Sequence, residues 1–331
     1  YLNCFKDLAM KTYILRRLLL TIPTLWIVSI IIFFGLRFIP GDAVDLMVGK
    51  LNISHQGEGG VKKLKLELRK QLGLDLPVHI QYSKWMAGLM RGDFGRGIWS
   101  GEPVSDLLAY SIPVSLEVGG LALFFSIIIA LPVAVFSGIR ADSKMDLLFR
   151  SISIILICVP SFWVGTVILI YGPLWFDWSP RLTWISFFEN PMEHIVMVTI
   201  PAFILGMWLS GITMRMARNM MLEVLNQDYI RTAWSKGLKE RIIVSRHVLK
   251  NAFIPVITMI GLHFPVMIGG AVVVEYIFTL PGLGSMMVQA IENRDYPLIS
   301  GINMAMAIFV LLINLMVDIS YAWLDPRIKY K

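Results

Sequence analysis

The side chains that most often carry out catalysis or bind metals are scattered along this sequence. The histidines form no HExxH motif and no pair spaced i, i+4, the arrangements typical of zinc enzymes; they lie at His55, His79, His194, His247 and His263. The sequence contains no Gly-x-x-x-x-Gly-Lys-Ser/Thr motif and no Gly-x-Ser-x-Gly motif. We therefore predict no catalytic site, no metal site and no cofactor bound by this chain.

Polar residues inside long apolar segments are the remaining candidates, because a charge in a bilayer is costly and marks a functional position by default. Glu117, Glu275 and Asp318 qualify, and each lies toward an end of its segment. Asn314 precedes Asp318 by four residues, so the two share one helix face. Two interpretations stay open, hydrogen bonds between helices or the lining of a substrate path. Since no charge lies at mid-segment, the pattern disfavours an ion-coupled secondary transporter.

The elements that position these residues are predicted to be membrane helices. Hydrophobic residues make up 56% of the 331 residues and charged residues only 16%. A span needs roughly 20 apolar residues, because a helix rises about 1.5 Å per residue through a hydrocarbon core about 30 Å thick. The apolar runs do not alternate with polar residues, so we predict an all-α polytopic protein and not a barrel. Six segments qualify: 15–38, 114–138, 149–172, 195–214, 252–277 and 298–323.

The distribution of lysine and arginine predicts the orientation of these spans, with both termini cytoplasmic. The segments on that side are the N-terminal 1–14, the loop after span two, the strongly basic loop 215–255 and the tail 324–331. The loop 39–113 is lysine-rich, but long loops cross the membrane largely regardless of charge, so we expect an external subdomain there. The net charge of +7 is then explained by orientation, and we expect no nucleic-acid partner. Met10 is expected to be the natural start, and residues 1–9 are given no function.

The external loop contains its own helical pattern. Apolar residues recur at helical spacing over 61–73, with Gly73 as the predicted C-cap, and a second short helix is predicted after Pro77. The glycine-rich run GDFGRG at 92–97 invites comparison with a phosphate-binding loop. We reject that interpretation, because no strand precedes the run and no Gly-Lys-Ser/Thr follows it.

The basic loop between spans four and five is predicted to form two helical pieces within 219–253. Asp228 caps or charges the start of the first, Gly237 breaks it, and Lys239, Glu240 and Arg241 open the second. One interpretation is an amphipathic helix lying on anionic lipid. The other is a rigid docking element for a soluble partner, with the piece after Gly237 inserted into that partner.

The residues of this loop carry a family resemblance. The stretch Asp228-Tyr-Ile-Arg-Thr-Ala-Trp-Ser-Lys-Gly-Leu-Lys-Glu240, followed by Arg246-His-Val-Leu-Lys-Asn-Ala-Phe-Ile-Pro255, resembles the EAA loop of ABC importer permeases of the dipeptide/oligopeptide/nickel family. The resemblance continues along the chain in order: Pro40-Gly-Asp42, Gly92-Asp-Phe-Gly95, Pro160-Ser-Phe-Trp163, Pro281-Gly-Leu-Gly284 and Asp325-Pro-Arg327.

Within the loop, the resemblance implies a role for individual residues in coupling to an ATPase. Arg231, Thr232 and Ala233 stand where the general motif has Glu-Ala-Ala, and Gly237 matches its glycine. His247, Leu249 and Lys250 stand where that motif has isoleucine, leucine and proline, so two of the three differ. Asn251 and Pro255 are landmarks of the peptide subfamily.

The resemblance also implies an architecture and a set of partners. It implies a type I importer fold in a prokaryotic cytoplasmic membrane, a homologous second permease subunit, two cytoplasmic ATPases that bind ATP and Mg, and an external substrate-binding protein. The expected cargo is peptide, with nickel chelates or oligosaccharides as alternatives within the family. Outside the family, an ion-coupled carrier and a structural membrane subunit remain as alternatives.

Overall fold

A computed structural model of the chain describes residues 2–38, 44, 48, 58–71, 73–179, 181 and 183–324. The motifs at 40–42 and 325–327 and nearly all of the predicted tail 324–331 lie outside these residues. The described part is helical, without a strand and with one isolated bridge between Arg96 and Pro103. Its α-helices are α1 (Leu2–Gly35), α2 (Glu58–Gln71), α3 (Val78–Met90), α4 (Val104–Ile139), α5 (Lys144–Cys158), α6 (Ser161–Phe176), α7 (Pro191–Leu225), α8 (Asp228–Ser235), α9 (Glu240–Ile242), α10 (Leu249–Ile277), α11 (Leu283–Glu292) and α12 (Tyr296–Leu324).

The helices supply the six predicted spans, although not all as straight rods. Four stretches are long and apolar enough to cross a membrane alone: Leu15–Phe38, α4, α7 and Tyr296–Ile319. Two bent helix pairs, one of them α5 with α6, bring the number to six if each pair is one span. The two helices predicted within the loop 39–113 are present as α2 and α3. Gly73 lies just beyond α2 with φ of +67° and donates to Lys70, as a C-cap does.

The predicted third span, 149–172, is wrong as a single helix. The chain bends by 85° between α5 and α6. Val159 adopts an extended conformation directly before Pro160, because the proline ring disfavours helical geometry in the residue that precedes it. The helix of the predicted fourth span, 195–214, extends beyond its predicted C-terminal end, since α7 continues as one helix to Leu225.

The centre of the structure is the packing of α4 against α7, which small residues make possible. A Cβ at Gly206 of α7 would lie 2.7 Å from the carbonyl oxygen of Ala122 on α4. Further along the same two helices, the hydroxyls of Ser126 on α4 and Thr213 on α7 are hydrogen-bonded at 3.2 Å. Gly211 of α7 approaches α5 in the same way, with a Cβ placed 2.7 Å from the carbonyl oxygen of Ser153. Small residues and hydroxyl pairs are the usual means of bringing membrane helices together.

The loop before α4 and the turn before α12 are joined through Asp295, which is buried. Its carboxylate accepts a hydrogen bond from the backbone N–H of Ile98 at 2.8 Å and from that of Leu298 at 3.2 Å. Burial raises the pKa of the Asp295 carboxyl, and these donors partly offset that effect. The preceding helix α11 is an element that the sequence reasoning did not predict.

Candidate functional site

The first helical piece of the basic loop is α8, a separate helix with one face packed and the other exposed. Ile230 and Ala233 are buried, whereas Tyr229 and Trp234 are about half exposed. Asp228 occupies the first turn without capping the helix, since the N-cap is Gln227. Its carboxylate lies 3.6 Å from the guanidinium of Arg231 on the exposed face. A negative charge here favours the helix through the macrodipole.

Gly237 ends α8, as the sequence predicted, and it does so in a left-handed backbone conformation. Its φ is +76°, a region that residues with a Cβ rarely adopt. The N–H of Gly237 donates to the carbonyl of Trp234 at 2.9 Å, and the N–H of Leu238 donates to the carbonyl of Ala233 at 3.4 Å. These two bonds form a Schellman motif, which satisfies carbonyls that the end of a helix otherwise leaves unpaired.

The second piece, after Gly237, is not a separate helix. It begins with α9, passes through a π-helical turn (Ile243–Val248) and continues directly into α10. Its exposed side chains include Lys239, Glu240 and Arg241 at the start and Ser245, Arg246 and Lys250 further along. The first piece is therefore a short separate helix, and the second is an extension of the helix α10.

An apolar cluster anchors both pieces, and we call it the loop cluster: Met221, Val224, Ile230, Ala233, Ile243, Val244, Val248 and Ala252. Its members come from α7, α8, the π-helical turn and α10. Burying this surface fixes α8 against the ends of two spans. A polar contact adds to it, because the Nδ2 of Asn251 on α10 donates to the Tyr229 hydroxyl at 2.8 Å and to the carbonyl of His247 at 3.0 Å. Pro255 lies within α10, and Thr232 is exposed on α8.

A buried ion pair next to this cluster was missed by the sequence reasoning. Arg218 of α7 donates from Nε and from a terminal nitrogen to the two carboxylate oxygens of Asp146, at 2.7 and 2.6 Å. The side chain of Asp146 has no exposed surface, and it also accepts from the Ser137 hydroxyl and from the N–H of Asp142. The carboxylate of Asp146 is thus paired with a guanidinium and with two further donors, which offsets the cost of burying its charge. The pair thus joins α4, α5 and α7.

The four polar candidates inside the spans lie in different environments. Glu117 on α4 contacts the Nε2 of His194 on α7 at 2.6 Å, and Asp318 on α12 lies 3.2 Å from Arg17 on α1. Asn314 is spaced as predicted on the same helix as Asp318, and its Oδ1 is buried without a hydrogen-bond partner among the described residues. The first two contacts are interhelical, which is one of the two predicted interpretations.

Glu275 has the most extensive contacts of the four, at the end of α10, and it is fully buried. Its carboxylate accepts from the hydroxyl of Ser115 at 2.7 Å and from the N–H of Gly284 at 2.7 Å, so it caps the start of α11. Ser115 also lines a cavity of about 360 Å³ between α4, α10 and α12, and Met267, Ala271 and Phe309 are among its apolar walls.

The described residues contain no group of three or more histidine, cysteine, aspartate or glutamate side chains that could hold a metal ion. The polar clusters are instead structural joints between helices, and the exposed face of α8 and the exposed charged residues after Gly237 are open to a partner.

Comparison with known proteins places the whole chain in one group. Residues 130–330 match the family described as binding-protein-dependent transport system inner membrane component, and residues 10–115 match the corresponding N-terminal family. The oligopeptide transport system permease protein AppB of Bacillus subtilis (strain 168) is 38% identical over 325 residues, covering 97% of this chain and 100% of the relative. A putative peptide transport system permease protein of Brucella abortus (strain 2308) is 36% identical over 321 residues, with the same coverage.

A third relative is named for the transport of glutathione. The glutathione transport system permease protein GsiC of Salmonella paratyphi A is 33% identical over 322 residues, covering 97% of this chain and 100% of the relative. Among solved structures, the inward-facing MetNI methionine ABC transporter has a TM-score of 0.56 at 17% identity, covering 66% of this chain and 96% of that chain. An amino acid ABC transporter has a TM-score of 0.50 at 15% identity, covering 65% and 92%. The two structures share the fold.

Proposed function

The chain belongs to the binding-protein-dependent transport system inner membrane components, the permeases of ABC importers, and from this premise we propose that it forms half of a translocation pathway for peptides. Relatives named for peptide, oligopeptide and glutathione transport support this cargo, because glutathione is itself a small peptide. A homologous permease forms the other half, and an external substrate-binding protein delivers the cargo.

Two cytoplasmic ATPases that bind ATP and Mg supply the energy, and α8 is the element that docks on them. The observation that carries this proposal is the combination of an exposed face on α8 with a buried anchor beneath it. Trp234 and the charged Arg231 are exposed, while Ile230 and Ala233 fix the helix in the loop cluster. A rigid element can transmit a displacement, because its contacts with the partner differ between two states, whereas a flexible basic segment would only follow.

Both termini and the loop that contains α8 lie on the cytoplasmic side in this proposal. The basic residues of that loop support the orientation, since short cytoplasmic loops carry an excess of lysine and arginine. The outer side then holds α2, α3 and α11. A cysteine introduced at Ser235 in a chain whose Cys4 and Cys158 are replaced by serine tests the orientation. A membrane-impermeant thiol reagent should label this exposed position only in inside-out vesicles if the orientation is right.

Reconstitution of the complete complex tests the cargo and the energy source together. Proteoliposomes with two permeases, the ATPases and the binding protein are supplied with labelled di- and oligopeptides, and uptake is followed with and without internal ATP. Uptake of peptide only with ATP is expected. Uptake without ATP would favour the alternative of an ion-coupled carrier. Uptake of nickel chelates or oligosaccharides in place of peptide would show that the proposed cargo is wrong.

The docking role of α8 has its own test, which is copurification of the ATPases with permease variants. Trp234→Ala combined with Arg231→Glu changes the exposed face of α8 and leaves Ile230 and Ala233 of the loop cluster in place, so ATPase recovery is expected to fall. The matched control is Phe188→Ala, which truncates a side chain that is 94% exposed in the loop between α6 and α7. Equal recovery of ATPase with both variants would exclude α8 as the docking element.

A further inference from the structure

We propose that Asp146 and Arg218 form a positioning pair that passes the displacement of α8 to α4 and α5, so that ATP hydrolysis is converted into movement of those spans. The inference rests on the proposed docking of α8 and adds the route by which its movement reaches the membrane. Neither residue contacts the ATPase face, since Asp146 is fully buried and Arg218 nearly so.

The geometry of the pair is that of a rigid joint. Arg218 engages both carboxylate oxygens, and its Nε also donates to the Ser137 hydroxyl at 3.2 Å. A bidentate arginine–carboxylate pair fixes direction as well as distance, because two parallel bonds resist rotation. The remaining acceptor capacity of Asp146 is used by the end of α4 and by the turn that leads into α5. Three helices therefore meet at one carboxylate.

The joint lies next to the anchor of α8. Arg218 and Met221 are three residues apart on α7, so they occupy neighbouring positions on one helix face. Met221 is fully buried in the loop cluster with Ile230 of α8. It also packs on Gly138 of α4, where an added Cβ would lie 2.8 Å from the Met221 Cβ. One turn of α7 thus carries Arg218 of the ion pair and Met221 of the loop cluster that anchors α8.

Stability does not by itself explain such a pair. Taking two charges out of water costs as much as their attraction returns, and replacing both by apolar residues of similar size is often tolerated. An apolar pair would fill the same space without fixing the direction in which α7 moves α4 and α5. The directional link is the property that only the ion pair supplies, and coupled transport is the process that needs it.

The experiment compares ATP hydrolysed per peptide imported in the reconstituted complex. The variants are Arg218→Lys, which keeps the charge but cannot form the bidentate fork, and the double variant Asp146→Leu/Arg218→Met. The matched control is Arg215→Lys, an exposed position one turn earlier on α7. Assembly of the complex and its Tm are measured in parallel.

We expect the ATP-to-peptide ratio to rise at least threefold in both variants, with assembly retained and the control at the wild-type ratio. An unchanged ratio in assembled Arg218→Lys would overturn the inference. Loss of assembly in Arg218→Lys would overturn it equally, because the pair would then hold the fold and not transmit movement. A wild-type complex that imports peptide without ATP would instead refute the proposed function, so the two failures are distinguishable.

Discussion

Gly237 offers a perturbation whose size can be worked out from the structure. A Cβ at this position would have no atom within 4 Å, so a substitution meets no steric obstacle. The cost is backbone strain alone, because φ is +76°. For a residue with a Cβ, a left-handed conformation costs about 1–2 kcal/mol, and a β-branched side chain fits it worst. Gly237→Val is therefore expected to destabilise this turn by at least that amount.

The chain can relieve the strain by leaving the left-handed conformation, which breaks the Schellman bonds to Trp234 and Ala233. The direction of the segment that follows α8 then changes, and the conformation able to dock becomes a minor one. Apparent affinity falls by the fraction of molecules that remain competent. A shift of about 1–2 kcal/mol corresponds to a loss of roughly 5- to 30-fold. Gly237→Asn should lose less, because asparagine tolerates this conformation better.

The assay is titration of the solubilised permease with its ATPase, read out as Kd. The matched control is Gly92→Val in the loop after α3, where φ is +79° and a Cβ also has nothing within 4 Å. Both variants carry the same backbone strain, but only Gly237 borders α8. An equal loss of affinity in both variants, or none in Gly237→Val, would refute the assignment of the turn to docking.

Three further predictions concern the joints between helices. Gly211→Val should lower the Tm, because its Cβ collides with the carbonyl oxygen of Ser153 and overpacking costs about 1–3 kcal/mol. Glu275→Ala should leave the start of α11 uncapped at a cost of about 1–3 kcal/mol, measured as faster hydrogen exchange at Gly284. Asp146→Asn should cost about 3–5 kcal/mol near neutral pH, because the buried arginine loses its counter-charge.

Each of these predictions has a control in the chain. Gly120→Ala adds a methyl group to a helix position with nothing within 4 Å, so it should leave the Tm unchanged or raise it. Glu275→Gln keeps an acceptor for one donor and should protect Gly284 better than alanine does. A Tm of Asp146→Asn equal to that of the wild type at neutral pH would contradict the charge assignment.

The sequence predicts those features that depend on local patterns. Span positions follow from runs of apolar residues, because the thickness of the bilayer sets their length. The helices α2 and α3 follow from helical spacing bounded by Gly73 and Pro77. Gly237 was identifiable as a helix end because glycine is the residue that adopts a positive φ without strain. In each case, a short continuous stretch of the sequence contains all the residues that determine the feature.

The bend at Pro160 and the helix α11 show a limit of hydrophobic pattern. The apolar run 149–172 continues through Pro160, so hydrophobicity alone predicts one straight span. The backbone restriction imposed by Pro160 instead produces two helices with a bend of 85° between them. Leu283 to Glu292 is too short for a span, and its cap comes from Glu275 on another helix. The Pro281-Gly-Leu-Gly284 run contributed to the family resemblance, but it did not predict the helix that follows it.

The ion pair between Asp146 and Arg218 could not be predicted from the sequence, because its two residues are far apart in the chain. Asp146 and Arg218 are 72 residues apart, and in the sequence each looks like an ordinary charge near the end of a span. Only the close approach of α7 to α4 and α5, made possible by Gly138, Gly206 and Gly211, brings them together. The glycines remove the space between helices, and the ion pair then fixes how the helices can move against each other. A substitution at Gly211 should therefore weaken coupling as well as stability, whereas a surface substitution on α8 should weaken docking alone.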